Sequence, residues 1–251
     1  MGTTPQSTGA VRESVTLSTG EEVSVPLSTE ATVFGAMFSA NRAAVAELLP
    51  DGLEPIRATP QRAAVTFLAV EYHRIGDHAM APYDEFSVML PAVESGERSW
   101  PFASLLRNGA SGYVWYLPVT TESAKALGVD IWGYPKAVAE ITHDDHVAGR
   151  RTTVTADGEE VITLDVEGTP KVDRTQESVS YTVKDGQLLR EPLTLSGKLG
   201  AWPYSGQVDV SLGSHPRADR LRELDLGSRA LARLSFEGEF VIGAGERVGS
   251  V

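Results

Sequence analysis

Arg62-Ala63-Ala64-Val65-Thr66-Phe67-Leu68-Ala69-Val70-Glu71-Tyr72 is nearly all apolar and rich in β-branched and aromatic residues, a pattern that reads as a β-strand. Glu85 to Val93 (EFSVMLPAV) is a second strand of similar length, and Gly76 to Pro82 between them reads as a loop. Upstream, Ser39 to Leu49 (SANRAAVAELL) spaces Ala43, Val45, Leu48 and Leu49 as a helix, with Ser39 as cap and Pro50-Asp51-Gly52 as its stop. The first thirty residues are rich in Ser, Thr, Gly and Glu, and Val23 to Leu27 is a candidate edge strand.

Downstream, Ser111 to Val119 (SGYVWYLPV) is a strand, Thr120 to Leu127 a short helix stopped by Gly128, and Asp130 to His143 a strand interrupted at Gly133-Tyr134-Pro135. Thr152 to Val166 and Ser178 to Leu195 read as hairpins turning at Asp157-Gly158 and Asp185-Gly186, dipeptides that supply the positive φ angles of tight turns. Gln207 to Leu212 adds a strand, Ser214 to Leu226 a helix capped by Ser214 and stopped by Gly227, and Arg229 to Ile242 a last strand. About ten strands and two or three short helices result, without repeats or a linker long enough to divide the chain. The expectation is a flexible tail over residues 1–20 and one mainly β domain over 21–251, its sheet covered on one face or curled into a barrel.

Composition narrows the function. The 251 residues are 41% hydrophobic and 22% charged, enough apolar material for a sizeable core. Acidic residues outnumber basic ones 34 to 22, a formal charge of -12 that repels nucleic acid and anionic membrane surfaces. With no cysteine, thiol nucleophiles and thiolate metal sites are excluded. No apolar run of signal-peptide or membrane-spanning kind occurs, so a cytoplasmic protein is the expectation. No Gly-rich phosphate loop precedes a helix, and neither Ser111-Gly112 nor Ser205-Gly206 resembles a nucleophile elbow.

Five lysines stand against seventeen arginines, so each can be read by its surroundings. Lys125, Lys171, Lys184 and Lys198 have the neighbours of ordinary surface lysines. Lys136 lies in Ile131-Trp132-Gly133-Tyr134-Pro135-Lys136-Ala137-Val138-Ala139, with no other charge before Glu140. Such a side chain either snorkels to water or sits buried, where desolvation favours the uncharged amine. Only that form attacks a carbonyl, and an ordinary lysine at pKa ~10.4 rarely adopts it at neutral pH. His143-Asp144-Asp145-His146 has metal-ligand residue types, but its place at a strand end favours a polar turn, and no metal is assigned.

Gly128-Val129-Asp130-Ile131-Trp132-Gly133-Tyr134-Pro135-Lys136 resembles the signature segment of the acetoacetate decarboxylase family, usually Gly-Arg-Glu followed by Gly-Tyr-Pro-Lys. Leu48-Leu49-Pro50 with Leu53-Glu54-Pro55, Tyr83-Asp84-Glu85-Phe86 and His215-Pro216 fit the same family in order, from about residue 30 onward. The resemblance implies a closed, cone-like antiparallel β-barrel with a few peripheral helices, an internal cavity, no cofactor, and a homo-oligomer acting on a small keto acid or related carbonyl compound. It also implies that Lys136 forms a Schiff base and that Glu85 moves protons or orients the substrate. Trp132, Tyr134, Tyr116 and Tyr83 are candidates to line the pocket, and Arg107 or Arg98 to clamp a carboxylate.

Three positions depart from the family. Ala137 replaces a second lysine, the arginine expected near Ala31 or Thr32 has no counterpart between Arg12 and Arg42, and the second glutamate expected near Leu68 is apolar. The leading expectation, drawn from the resemblance, is decarboxylation of a β-keto acid through imine and enamine, and the departures make a course without decarboxylation plausible. An imine-based aldolase-dehydratase or cyclase is the alternative, and a non-catalytic barrel holding an apolar ligand is a further one.

Overall fold

A computed structural model describes residues 12–97, 111–169 and 171–251. In chain order the strands are β1 (Glu13–Thr16), β2 (Glu22–Val25), β3 (Leu27–Asn41), β4 (Leu53–Pro55), β5 (Arg57–Thr59), β6 (Arg62–Ile75), β7 (Tyr83–Glu94), β8 (Gly112–Val119), β9 (Lys136–Val138), β10 (Glu140–His146), β11 (Gly149–Ala156), β12 (Glu159–Glu167), β13 (Val172–Lys184), β14 (Gln187–Pro203), β15 (Val208–Leu212), β16 (Ala230–Ile242) and β17 (Glu246–Ser250). The helices among the described residues are α1 (Arg42–Glu47), α2 (Glu122–Trp132) and α3 (Pro216–Arg222).

Seven strands close a barrel in the order β7-β6-β3-β16-β14-β13-β8, with β8 returning to β7. Six of the seven neighbouring pairs are antiparallel. The β8–β13 pair is parallel, so the barrel is mixed rather than antiparallel throughout. Both hairpin turns fall where expected, with positive φ at Asp157 and Gly158 and at Asp185 and Gly186. β1 falls within the stretch read as a tail and pairs with β2, just beyond it.

A separate sheet, β10-β11-β12-β15, packs on the outside of the barrel. Its Ile141, Val154, Ile162, Leu164 and Val166 form one core with Phe67, Phe86, Val88 and Leu90, which are outward-facing barrel residues, and with Leu221 and Leu224 at α3. Strands β6 and β7 are thus covered on both faces, one by this sheet and one by the barrel interior. That is why their sequences run apolar without alternation. A second core joins the inner barrel face to α2 through Ala124, Leu127 and Trp132.

Helix boundaries depart from the sequence reading where backbone pairing overrides local propensity. Ser39 and Ala40 extend β3, and Asn41 caps α1, its Oδ1 accepting from the Ala43 and Ala44 amides. His215, not Ser214, caps α3. The largest correction concerns Asp130 to Trp132, which are helical. Helix α2 starts at the Thr121 cap, runs straight through Gly128 and ends at Gly133, whose φ of 69° is the left-handed stop. Lys184 reaches across from β13 and donates to the Asp130 and Ile131 carbonyls at 2.5 and 3.2 Å, satisfying the end of the helix. It is therefore a structural lysine rather than an ordinary surface one. No helix of the described residues is long and apolar enough to cross a membrane.

Candidate functional site

The barrel encloses a cavity of about 210 Å³. Strand alternation decides what faces it: Val33 and Met37 from β3, Thr66, Leu68, Val70 and Tyr72 from β6, and Tyr83, Glu85, Ser87 and Met89 from β7. Leu193, Leu195, Phe240 and Ile242 contribute from β14 and β16, so the lining is predominantly apolar. Among the described residues, the charged side chains that line it are Lys136 and Glu85.

Lys136 is the first residue of β9, which adds to β8 in parallel beside Leu117. The turn Gly133-Tyr134-Pro135 between α2 and β9 aims its side chain inward. Its Nζ lies 2.8 Å from Glu85 Oε2, with the two side chains 4% and 8% exposed. The same nitrogen stands 3.4 Å from the Tyr83 hydroxyl and 5.2 Å from the centre of that ring. Glu85 Oε1 accepts from the Tyr72 hydroxyl at 3.3 Å, and the Tyr72 and Tyr83 rings pack with centroids 4.8 Å apart. Burial, reinforced by the Glu85 charge, pushes both phenols well above their ordinary range, so they serve as neutral hydroxyls. An amine and a carboxylate in such contact can exchange a proton without either one meeting water.

The stem of Lys136 lies flat against Gly128. A β-carbon at that position would come within 2.5 Å of Lys136 Cε and 2.6 Å of Cδ. The glycine inside α2 is thus the floor on which the lysine rests, not a helix stop. At Gly133 a side chain would meet Lys184 and the Val183 carbonyl, in addition to the strain of positive φ.

Behind the lysine lies a second buried carboxyl group that the sequence reading did not single out. Glu191 is fully buried. Its Oε2 accepts from Ser180 at 3.0 Å, and Ser180 in turn contacts the Tyr134 hydroxyl at 2.7 Å. Its Oε1 lies 2.7 Å from Thr182 Oγ1, which is also 2.6 Å from the Trp132 carbonyl. Four contacts therefore join Tyr134, Ser180, Glu191, Thr182 and Trp132. The three hydroxyls supply three protons, and the fourth must come from Glu191 itself. Burial agrees with that count, pushing the Glu191 carboxyl up to about 7 against the lowering effect of Thr182 and Ser180. The network pins both Trp132 and Tyr134, which flank the turn leading to Lys136; Trp132 is further tied through Nε1 to the Gly243 carbonyl at 2.9 Å.

The structure brings together Lys136, Glu85, Tyr83, Trp132 and Tyr134 on the cavity wall. Tyr116 is elsewhere. An irregularity in the β7–β8 register shifts the parity of β8, so that Val114 and Leu117 face the cavity. Tyr116 instead joins the outer core, with the Arg217 guanidinium 5.0 Å over its ring. Arg107 and Arg98 lie outside the described residues. The His143–His146 segment belongs to strand β10 rather than to a turn. Asp145 takes two bonds from Arg150, at 2.5 and 2.9 Å, and His146 lies 2.9 Å from Asp165. Among the described residues no group of His, Asp or Glu is placed to hold a metal ion. Tyr72, Gly128 and Glu191 are the site residues that sequence reasoning missed. Of these, the sequence reading names Gly128, as a helix stop and the start of the signature segment rather than as the surface under Lys136.

The chain belongs to the acetoacetate decarboxylase family, whose model matches residues 14–250. Among solved structures, acetoacetate decarboxylase from Legionella pneumophila superposes with a TM-score of 0.67 at 15% identity, covering 97% of this chain and 93% of that one. The enduracididine biosynthesis enzyme MppR, solved in complex with pyruvate, gives 0.64 at 15% identity over 89% and 90% of the two chains. An acetoacetate decarboxylase-like enzyme from Sphingomonas wittichii gives 0.56 at 17% identity, covering 90% of this chain and 93% of that one. At these identities the likeness is one of fold. No curated protein sequence matches the chain.

Proposed function

We propose that this chain is a cofactor-independent, Schiff-base-forming carbon–carbon lyase that decarboxylates a β-keto acid, with Lys136 as nucleophile and Glu85 as its proton partner. The observation that carries the reading is the buried Lys136–Glu85 contact at 2.8 Å on the wall of an apolar cavity. Transfer of one proton across it leaves a neutral amine and a neutral acid, a pair that an apolar site tolerates better than isolated charges. The amine adds to the substrate carbonyl, and the resulting carbinolamine loses water to give an iminium ion. The bond to the carboxylate carbon then breaks, its electron pair moving into the iminium to give a neutral enamine and carbon dioxide. Cation and carboxylate disappear together, which an apolar enclosure favours. Forming the iminium has used the Glu85 proton, so the carboxylate takes up one proton from solvent and passes it to the enamine carbon, and water hydrolyses the resulting iminium to release ketone and amine.

A second reading draws on one observation. Among the described residues no guanidinium lines the cavity, so the enamine could instead attack an aldehyde and lose water, as in an aldolase-dehydratase. MppR, of similar fold, has been solved with the condensation product of pyruvate and imidazole 4-carboxaldehyde.

Borohydride treatment in the presence of keto acids, followed by mass analysis of the Lys136 peptide, tests both. The expected result is a reduced adduct on Lys136 that is absent from Lys136→Ala. No adduct with any keto acid overturns both readings. Carbon dioxide release from the same compounds separates decarboxylation from condensation. Assembly into a homo-oligomer, which the resemblance implies, is part of the proposal and is checked by light scattering.

A further inference from the structure

The register of the barrel places Glu85, Val70, Val33, Phe236 and Leu199 side by side on five consecutive strands, β7, β6, β3, β16 and β14. All five face the cavity. The row begins at the carboxylate that contacts Lys136 and continues as apolar side chains across four strand spacings, on the order of 19 Å around the wall at ~4.8 Å each. Val33 and Leu199 are only partly buried, so apolar surface stays open to the cavity in the free protein. A volume of about 210 Å³ exceeds the ~150 Å³ at which an apolar cavity already takes up a molecule of benzene.

We infer that the site is built for a carbonyl substrate carrying an unbranched apolar tail of several carbons, with the carbonyl at Lys136 and Glu85 and the tail along the Val70–Val33–Phe236–Leu199 row. This rests on Lys136 being the imine-forming residue, and it adds the substrate class. A four-carbon keto acid would leave most of that row uncovered, whereas each methylene laid on it leaves water for an apolar surface. Burial of one methylene, at ~0.8 kcal/mol, corresponds to about a fourfold gain in apparent affinity. Selectivity for chain length then follows from how far the row extends before another side chain closes it.

The test uses methyl ketones, which form the imine but have no carboxylate to lose. Borohydride-dependent modification of Lys136 is measured as a function of concentration for 2-butanone, 2-hexanone and 2-octanone. The expected half-saturating concentration falls roughly fifteen-fold from 2-butanone to 2-hexanone and falls again to 2-octanone. Val33→Phe, which fills the middle of the row, is expected to flatten the series, so that the longer ketones lose their gain over 2-butanone. Leu199→Gln, at the partly exposed far end, gives the same contrast more weakly should Val33→Phe fail to fold. Equal half-saturation across the series, or a preference for 2-butanone, overturns the inference while leaving Schiff-base chemistry intact. Isothermal titration of 2-octanone and 2-butanone into Lys136→Met decides the inference separately from the chemistry. Tighter binding of the longer ketone there upholds the tail site even if no adduct ever forms, and no such preference refutes it.

Discussion

Replacing Glu191 by glutamine tests whether the buried carboxyl group linked to the turn before Lys136 carries a proton. The geometry requires one, since Thr182 Oγ1 has a single proton for the Trp132 carbonyl at 2.6 Å and Glu191 Oε1 at 2.7 Å. The folded carboxyl is pushed up to about 7 from an ordinary 4.5. Between those values the native state keeps a proton that the unfolded chain has released, so the unfolding free energy declines as pH rises through the window. At ~1.36 kcal/mol per pH unit, the penalty on the native state reaches about 3 kcal/mol above pH 7 and vanishes below pH 4.5. Glutamine offers an N–H to Thr182 and an oxygen to Ser180 with nothing to titrate. Its own mismatch, an additional N–H at a cost of about 1 kcal/mol, is independent of pH.

The informative quantity is thus the difference between the two proteins at two pH values, in which every other titrating group cancels. Urea unfolding followed by tryptophan fluorescence at pH 5 and pH 8.5 is expected to show Glu191→Gln gaining about 2–3 kcal/mol on the parent between the two. In thermal melts the same change is a relative shift of roughly 5–10 °C for a chain of this size. If the difference is the same at both pH values, or if the parent gains on the variant as pH rises, Glu191 is ionised in the fold and the proton count is wrong.

Gly128→Ala sets a methyl group against the Lys136 stem and is expected to lower the rate of Lys136 adduct formation by about 10²-fold, the effect of an ångström-scale misplacement; circular dichroism would show the fold retained. Tyr72→Phe removes the hydroxyl that contacts Glu85 Oε1 and is expected to destabilise the protein by about 1 kcal/mol; a urea midpoint unchanged from the parent would show that the contact contributes nothing. Lys184→Met removes the donor to the last carbonyls of α2, with an expected loss of about 1–2 kcal/mol and amide exchange increased first at Asp130 to Gly133.

The parts of this molecule that sequence reasoning finds are those in which one residue's chemistry is set by its chain neighbours. Asp157-Gly158 and Asp185-Gly186 make tight turns wherever they stand between strands. Lys136 announced itself by the uncharged run around it. Helix ends were misread because Ser39 and Gly128 have two possible uses, and contacts distant in sequence choose between them. Ser39 is taken up by pairing with Ala64 on β6, and Gly128 by the lysine laid across it. Tyr116 is a pocket candidate as an aromatic residue on a strand, and strict alternation would keep it on the face of Val114, but the β7–β8 irregularity turns it to the outer core.

The two buried carboxyl groups show what kind of information is missing from a linear reading. In sequence, Glu85 and Glu191 both stand inside strands directly after a charged residue, Asp84 and Arg190, and nothing local assigns them different roles. In the fold, Glu85 faces the cavity with a cation at 2.8 Å and a phenol at 3.3 Å, whereas the side chains that bond Glu191 are the hydroxyls of Ser180 and Thr182. The first environment sets the carboxyl group between an amine and a phenol on the cavity wall. Burial in the second pushes the carboxyl group up to about 7, and its contacts with Ser180 and Thr182 link it to Tyr134 and the Trp132 carbonyl. Two identical side chains therefore divide into one that faces the Lys136 amine at the cavity and one tied to the turn that precedes it, and the division is made by partners drawn from β6, β9 and β13 rather than by either residue's own strand.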